Sequence, residues 1–283
     1  MNDAFFSLNL VHDLQSVFQY AFMRNAFEAG TAVALIAGIV GYFVVLRRSS
    51  FAAHALSHIG FAGAAGAVLA GINPIFGLLF FTSGGGVVMA LLGRRAASRD
   101  VEIGTVLAFM LGLGALFVSL YNGYAAETYS LLFGQVLGIS GTDVSITVVA
   151  AVLILIAIGA VYRPLLFSSL DEETAEARGL SLTVMNIVFM LLVAIATSIA
   201  VQIVGILLIF ALMITPAAIA ERIATRPLAG MAISAAIALA VTWIGLFVAF
   251  YLPYPVSFFI VTGVFALYLF VRAFQPKTEF VEP

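Results

Sequence analysis

Residues 49–93 read SSFAAHALSHIGFAGAAGAVLAGINPIFGLLFFTSGGGVVMALLG. These 45 residues contain no Asp, Glu, Lys or Arg, and a helix crosses roughly 30 Å of hydrocarbon with about 20 apolar residues. The stretch is therefore two membrane spans, turning at Gly71-Ile72-Asn73-Pro74, where Asn-Pro marks a turn. The other uncharged runs count the same way. Residues 29–46, 103–126 and 144–162 give one span each, the last capped by Thr142 or Asp143. Residues 179–220 give two more, and residues 227–271 another two that turn at Pro253-Tyr254-Pro255. The expectation is an all-α, polytopic transmembrane helical bundle of nine spans, or eight if Gly84-Gly85-Gly86 breaks a helix, forming one domain over residues 1–283. The run 128–142 is too short to cross and holds Gly134, Gln135, Gly138, Ser140 and Gly141, so it reads as a re-entrant or interfacial piece.

Composition agrees. The chain is 63% hydrophobic and 9% charged, with a mean hydropathy of +1.17, whereas a soluble domain carries about 25% charged residues. A net charge of −2 offers no basic footprint for nucleic acid. With no cysteine, disulfides, thiolate metal sites and Cys nucleophiles are excluded. Residues 1–28 lack the basic start of a secretory signal and mix apolar with polar residues, which reads as an interfacial N-terminal segment. Placing the N-terminus outside puts eleven Lys and Arg residues on the cytoplasmic side and only Arg24 outside, so the C-terminus is expected in the cytoplasm.

One connection has soluble character. Residues 164–181, PLLFSSLDEETAEARGLS, read as a cytoplasmic loop carrying a short amphipathic helix, capped by Ser168 or Ser169 and ended by Gly179. Inside the spans, the polar residues that stand out are His54 and His58. Four residues apart, they share one helical face with Cβ atoms roughly 6 Å apart, close enough for two imidazoles to hold one cation. Counting from Arg48 at about 1.5 Å per residue, His58 lies roughly 15 Å along the helix, near the midplane. Ala55 follows His54 where a metalloprotease has Glu, which excludes that chemistry. Two ligands half fill a zinc site, so others must come from another helix or subunit. Gly60, Gly63 and Gly66 on the same helix predict a close helix contact. Asp100 and Glu102 suit the positive end of a helix start, Glu127 is a weak cation attractor, and Pro216 in Thr215-Pro216 is expected to kink its helix.

The Arg47-Arg48 turn, Ala55-Leu56-Ser57-His58, Asn73-Pro74, Ile103-Gly104, Leu132-Phe133-Gly134-Gln135, Asp171 to Leu180, and Val204-Gly205-Ile206-Leu207-Leu208 through Pro216-Ala217-Ala218 occur in a specific order. Over roughly residues 28–272 the chain resembles the permeases of zinc and manganese ABC importers. The resemblance implies a fold similar to the cobalamin-importer permease, in a prokaryotic cell (inner) membrane. It implies a homodimer working with a cytoplasmic ATP-binding subunit and an extracytoplasmic metal-binding protein, with no permanently bound cofactor. The family's ATPase-docking segment carries over to Asp171, Glu172, Glu173, Ala175, Ala177, Gly179 and Leu180. The family typically places Asp and His four apart on the path. Here His58 matches the His and His54 replaces the Asp, and imidazole favours zinc over oxygen-preferring manganese.

The chain has no phosphate-binding GxxxxGK[ST] loop, so it is expected to be a transport subunit and no enzyme. The expected function is permease of a divalent transition-metal importer, zinc favoured, with manganese as alternative. A secondary transporter or cation channel is the rival from another class, but such proteins pair an intramembrane His with carboxylates, and no span here holds a deep Asp or Glu. A Ser57–His58 dyad is disfavoured because adjacent residues point to different helical faces.

Overall fold

The structure, a computed structural model, describes residues 10–92, 99–120, 134 and 138–274. Ten helices and no strand make up the described residues. α1 (Leu10–Gln19) ends at Tyr20, whose extended backbone turns the chain into α2 (Ala21–Leu46), so Arg24 and Glu28 lie in the opening turns of the first long helix. Then come α3 (Ser50–Leu69), α4 (Pro74–Leu92), α5 (Arg99–Leu120) and α6 (Gly141–Leu170). The short α7 (Glu172–Ala177) leads to α8 (Leu182–Ile223), α9 (Pro227–Tyr251) and α10 (Val256–Phe274). Eight of these are long and apolar enough to cross a membrane. α4 runs unbroken through Gly84-Gly85-Gly86.

Sequence chemistry sets the ends of these helices. α3 stops at Gly71 (φ 70°), where Ile72 N–H reaches Ala67 O at 2.9 Å and Gly71 N–H reaches Val68 O at 3.1 Å, a Schellman closure. Two residues later the Asn73 side chain accepts from Ile75 N–H at 3.0 Å and α4 opens on Pro74. The cap of α6 is Ser140 rather than Thr142 or Asp143. Its Oγ accepts from Asp143 N–H while the Asp143 carboxylate accepts from Ser140 N–H, both at 3.2 Å, closing a reciprocal box. α6 passes through Pro164 and ends at Leu170, so residues 164–170 are its last turns. Ser168 and Ser169 lie inside it and cap nothing; both hydroxyls donate to the Leu165 carbonyl.

α2 and α8 form the buried centre, with α3, α4 and α9 packed around them and α5 and α10 at the periphery. In lipid, helices associate through close packing and polar links rather than hydrophobic drive. Accordingly, a Cβ on Gly63 or on Gly77 would overlap the other glycine's carbonyl oxygen, and one on Gly41 would overlap the Met213 carbonyl oxygen. The expected tight contact of the glycine-spaced α3 is thus its crossing with α4. Polar links tie the same helices: Ser234 Oγ donates to Gly38 O at 2.7 Å, and the Thr82 and Ser198 hydroxyls lie 2.6 Å apart.

α8 has 42 residues, which as a straight helix would extend about 63 Å, twice the hydrocarbon thickness. It is folded at Gly205 (φ 80°, ψ 166°), a region open essentially to glycine alone. Asn186, near its start, bonds Arg47 at the end of α2, and Met213, near its close, packs on Gly41 of that same end. The element therefore leaves one end of the molecule and returns to it in two limbs. The second limb corresponds to the second of the two spans expected over residues 179–220. The reversal lies at Gly205 and not at Pro216, which sits inside the second limb, because proline's fixed φ fits a helix while the reversal needs a positive one. Gly134 (φ 75°) sits against this bend, where a Cβ would overlap Val204. Glu127, Gln135 and most of the 128–142 run lie outside the described residues.

Candidate functional site: the histidine pair and the exposed connecting helix

α3 presents Phe51, His54, His58 and Phe61 along its one incompletely buried stripe, while Ala55, Leu56, Ser57 and Ile59 are packed inward. The two imidazole centroids are 4.6 Å apart with their planes at 74°. The Phe210 ring, from the second limb of α8, stands 4.7 Å from that of His54 and walls one side. The structure thus brings the sequence-predicted pair together on one half-buried face. Ser57 Oγ donates back to Ala53 O at 3.2 Å and is buried, so its hydroxyl is spent within the helix and does not serve His58. Among the described residues no third His, Asp or Glu joins the pair. The described residues of one chain therefore offer two imidazole ligands at this place.

The other predicted segment stands at the end of the molecule where α2 closes and α8 begins. α7 has six residues, too few to hold a helix unaided, and caps fix it at both ends. Asp171 accepts from Thr174 N–H at 2.9 Å. The Thr174 hydroxyl, with the backbone N–H groups of Thr174 and Glu173, holds the Asp171 carboxyl below the usual carboxylate range. At the far end Gly179 (φ 83°) donates to Glu176 O at 2.9 Å and Leu180 to Ala175 O at 3.1 Å, a second Schellman closure. Ala175 is buried against the bundle, whereas Asp171, Glu172, Glu173, Ala177 and Gly179 are exposed and Leu180 is half-buried. The result is an acidic knob pinned on one small apolar side chain.

Asp100 and Glu102 lie in the first turn of α5, as their charge suits; the Glu102 Oε2 atom is buried and unbonded. Two participants are not evident from the sequence. Phe210 is one apolar residue among many there, and Arg47 counts as a topology charge and as part of the Arg47-Arg48 turn, neither of which shows its partners. The Arg47 guanidinium donates to Ser168 Oγ at 3.1 Å, to Ser169 Oγ at 3.0 Å and to Asn186 Oδ1, and lies 5.0 Å from the Phe189 ring centroid.

The sequence profile described as the ABC 3 transport family matches residues 19–275 of the chain. The chain belongs to that family. Its relatives include the manganese transport system membrane protein MntC of Listeria innocua, 31% identical over 208 residues, 73% of this chain and 74% of that protein. A probable metal transport system membrane protein of Treponema pallidum is 32% identical over 260 residues, 91% of this chain and 97% of that one. A chain from the structure of PsaBC from Streptococcus pneumoniae in complex with Fab superposes with a TM-score of 0.84 at 26% identity, covering 96% of this chain and 98% of that chain. This ABC 3 family member is a multi-pass membrane permease subunit; it is not an enzyme, and ATP hydrolysis belongs to a separate subunit.

Proposed function

We propose that the chain imports divalent transition-metal ions, most readily zinc, through a path that passes His54 and His58. The observation that carries this reading is the pair itself: two half-buried imidazoles one turn apart on one helix face, with His58 near the middle of the span. Burying polar side chains in a membrane is costly and marks transport paths. Zinc is tetrahedral and accepts imidazole nitrogen readily. A second copy related by two-fold symmetry would bring four imidazoles together and complete that shell, so the working unit is a homodimer. Binding has to stay weak enough for release on each cycle.

In this reading the extracytoplasmic metal-binding protein delivers the ion to the end holding Ile72 and Ile139. The ATP-binding subunit docks on residues 171–180 at the opposite, arginine-rich end, which is cytoplasmic. Arg47, Arg48, Arg178, Arg222, Arg226 and Arg272 all lie at or near that end, with Arg24 at the other, as the positive-inside rule requires.

A manganese importer of the same type is the second reading, favoured by the names of MntC and of the Streptococcus parasanguinis manganese import system permease protein ScaB, 28% identical over 260 residues. Competition between Zn²⁺ and Mn²⁺ for uptake by proteoliposomes holding the full complex decides between them. Zinc should suppress manganese uptake at lower concentration than the reverse; the opposite order establishes the manganese reading, and uptake of neither removes both.

A further inference from the structure

We infer that Arg47 is a positioning residue that couples the ATPase-docking segment to the histidine-bearing helix. The inference rests on the docking role proposed above for residues 171–180. Arg47 is the C-cap of α2 and belongs by its backbone to the turn that aims α3. Arg48 takes a positive φ of 52°, Ser49 N–H returns to Val44 O at 2.8 Å, and Ser49 Oγ donates to Arg47 O at 3.1 Å. α3 opens at Ser50, one turn before His54. This turn has the Schellman pattern but carries Arg48 where glycine is usual, so its direction is held against a steric preference.

The Arg47 side chain reaches the opposite way. Ser168 and Ser169 precede Asp171 on one flank of the docking segment, and Asn186 and Phe189 follow Leu180 on the other. Both serine hydroxyls use their protons on the Leu165 carbonyl, which leaves their lone pairs to accept from the guanidinium. A planar guanidinium can reach three acceptors on two helices and lie over the Phe189 ring at once, a geometry that an ammonium cannot copy. The cation also faces the C-terminal ends of α2 and α6, where helix dipoles favour positive charge. One residue thus fixes both flanks of α7 and the entry to α3. A shift of the docking segment must move the turn that carries His54 or break these bonds.

The test uses the permease with its ATP-binding subunit in proteoliposomes, with Zn²⁺ and Mn²⁺ as probes. Glu173→Cys, in a chain that has no other cysteine, cross-links to the ATPase. Arg47→Ala should keep the cross-link and ATP turnover while metal uptake per ATP falls at least about ten-fold. Arg47→Lys should fall nearly as far, and Asn186→Ala several-fold. A purely structural role would lower the amount of inserted protein and leave uptake per ATP unchanged, so a wild-type ratio in Arg47→Lys overturns the inference. Should Arg47→Ala fail to insert, Asn186→Ala and Ser168→Ala with Ser169→Ala decide, and wild-type ratios in both overturn it. Loss of the cross-link with Arg47 intact removes the docking reading, and this one with it; a cross-link with unchanged coupling removes this one alone.

Discussion

Imidazole ligates a metal only as the neutral base, and its reference pKa is about 6.5. Protonation competes with the ion, so uptake through His54 and His58 should weaken as pH falls below that region, measured as initial rates across a pH series with the ATPase kept in its working range. His58→Ala should lower metal-stimulated ATP turnover at least about ten-fold, a scale reached even by supporting residues of metal sites, in a complex that still assembles. His54→Asp should retain uptake and shift preference toward manganese, since a carboxylate supplies the oxygen that manganese favours. Wild-type zinc uptake in His58→Ala would assign the pair to packing. The pair is legible in the sequence because i, i+4 spacing is local information. Phe210 is not, since its partner lies on another element and nothing nearby sets it apart from the chain's 24 other Phe residues. Arg47 is visible as a charge and in the Arg47-Arg48 motif, but its acceptors are 121 to 139 residues away in sequence.

At the scale of elements, the sequence shows that 42 uncharged residues exceed one crossing, but not where the chain reverses. Pro216 carries the stronger local signal, yet its dihedral suits a helix. Gly205, one of 25 glycines, carries the reversal through a dihedral that no sequence pattern announces. Gly205→Ala should therefore cost about 1–3 kcal/mol, seen as a lower unfolding midpoint in detergent. Gly159→Ala, where an added Cβ meets nothing within 4 Å, should be neutral or slightly stabilising. The short helix α7 is legible as a soluble island, with its C-terminal glycine correctly placed. Its start is not, because Ser168 and Ser169 look like caps until Pro164 is seen to sit inside α6. Gly179→Val forces a β-branched residue into a positive φ. Uptake should fall while insertion holds, checked by proteoliposome transport beside membrane yield; unchanged uptake and unchanged co-purification with the ATPase would count against docking there.

The whole molecule is organised by which elements share an end. Tyr42 packs on Gly230 and Arg222 lies over the Tyr268 ring, so α9 begins and α10 finishes at the end where Arg47 closes α2. At the other end Tyr20 meets Phe250 and Asn25 Nδ2 donates to Ile139 O at 2.9 Å. These pairings require α8 to go and return. A single crossing by α8 would move Thr225 to the side opposite Glu173, invert α9 and α10, and strand Arg222, Arg226 and Arg272 with the outer loops, against the positive-inside rule. Three single-cysteine variants, Ile72→Cys, Glu173→Cys and Thr225→Cys, separate the alternatives, because all three positions are exposed and lie in or beside turns. In intact cells a membrane-impermeant maleimide should label the Ile72→Cys variant alone; Glu173→Cys and Thr225→Cys should label only after the membrane is opened. Labelling of Thr225→Cys from outside would make α8 one crossing and reverse everything after it. Labelling of Glu173→Cys from outside, with Ile72→Cys protected, would keep the fold but invert its orientation, placing residues 171–180 where no cytoplasmic ATPase can reach them.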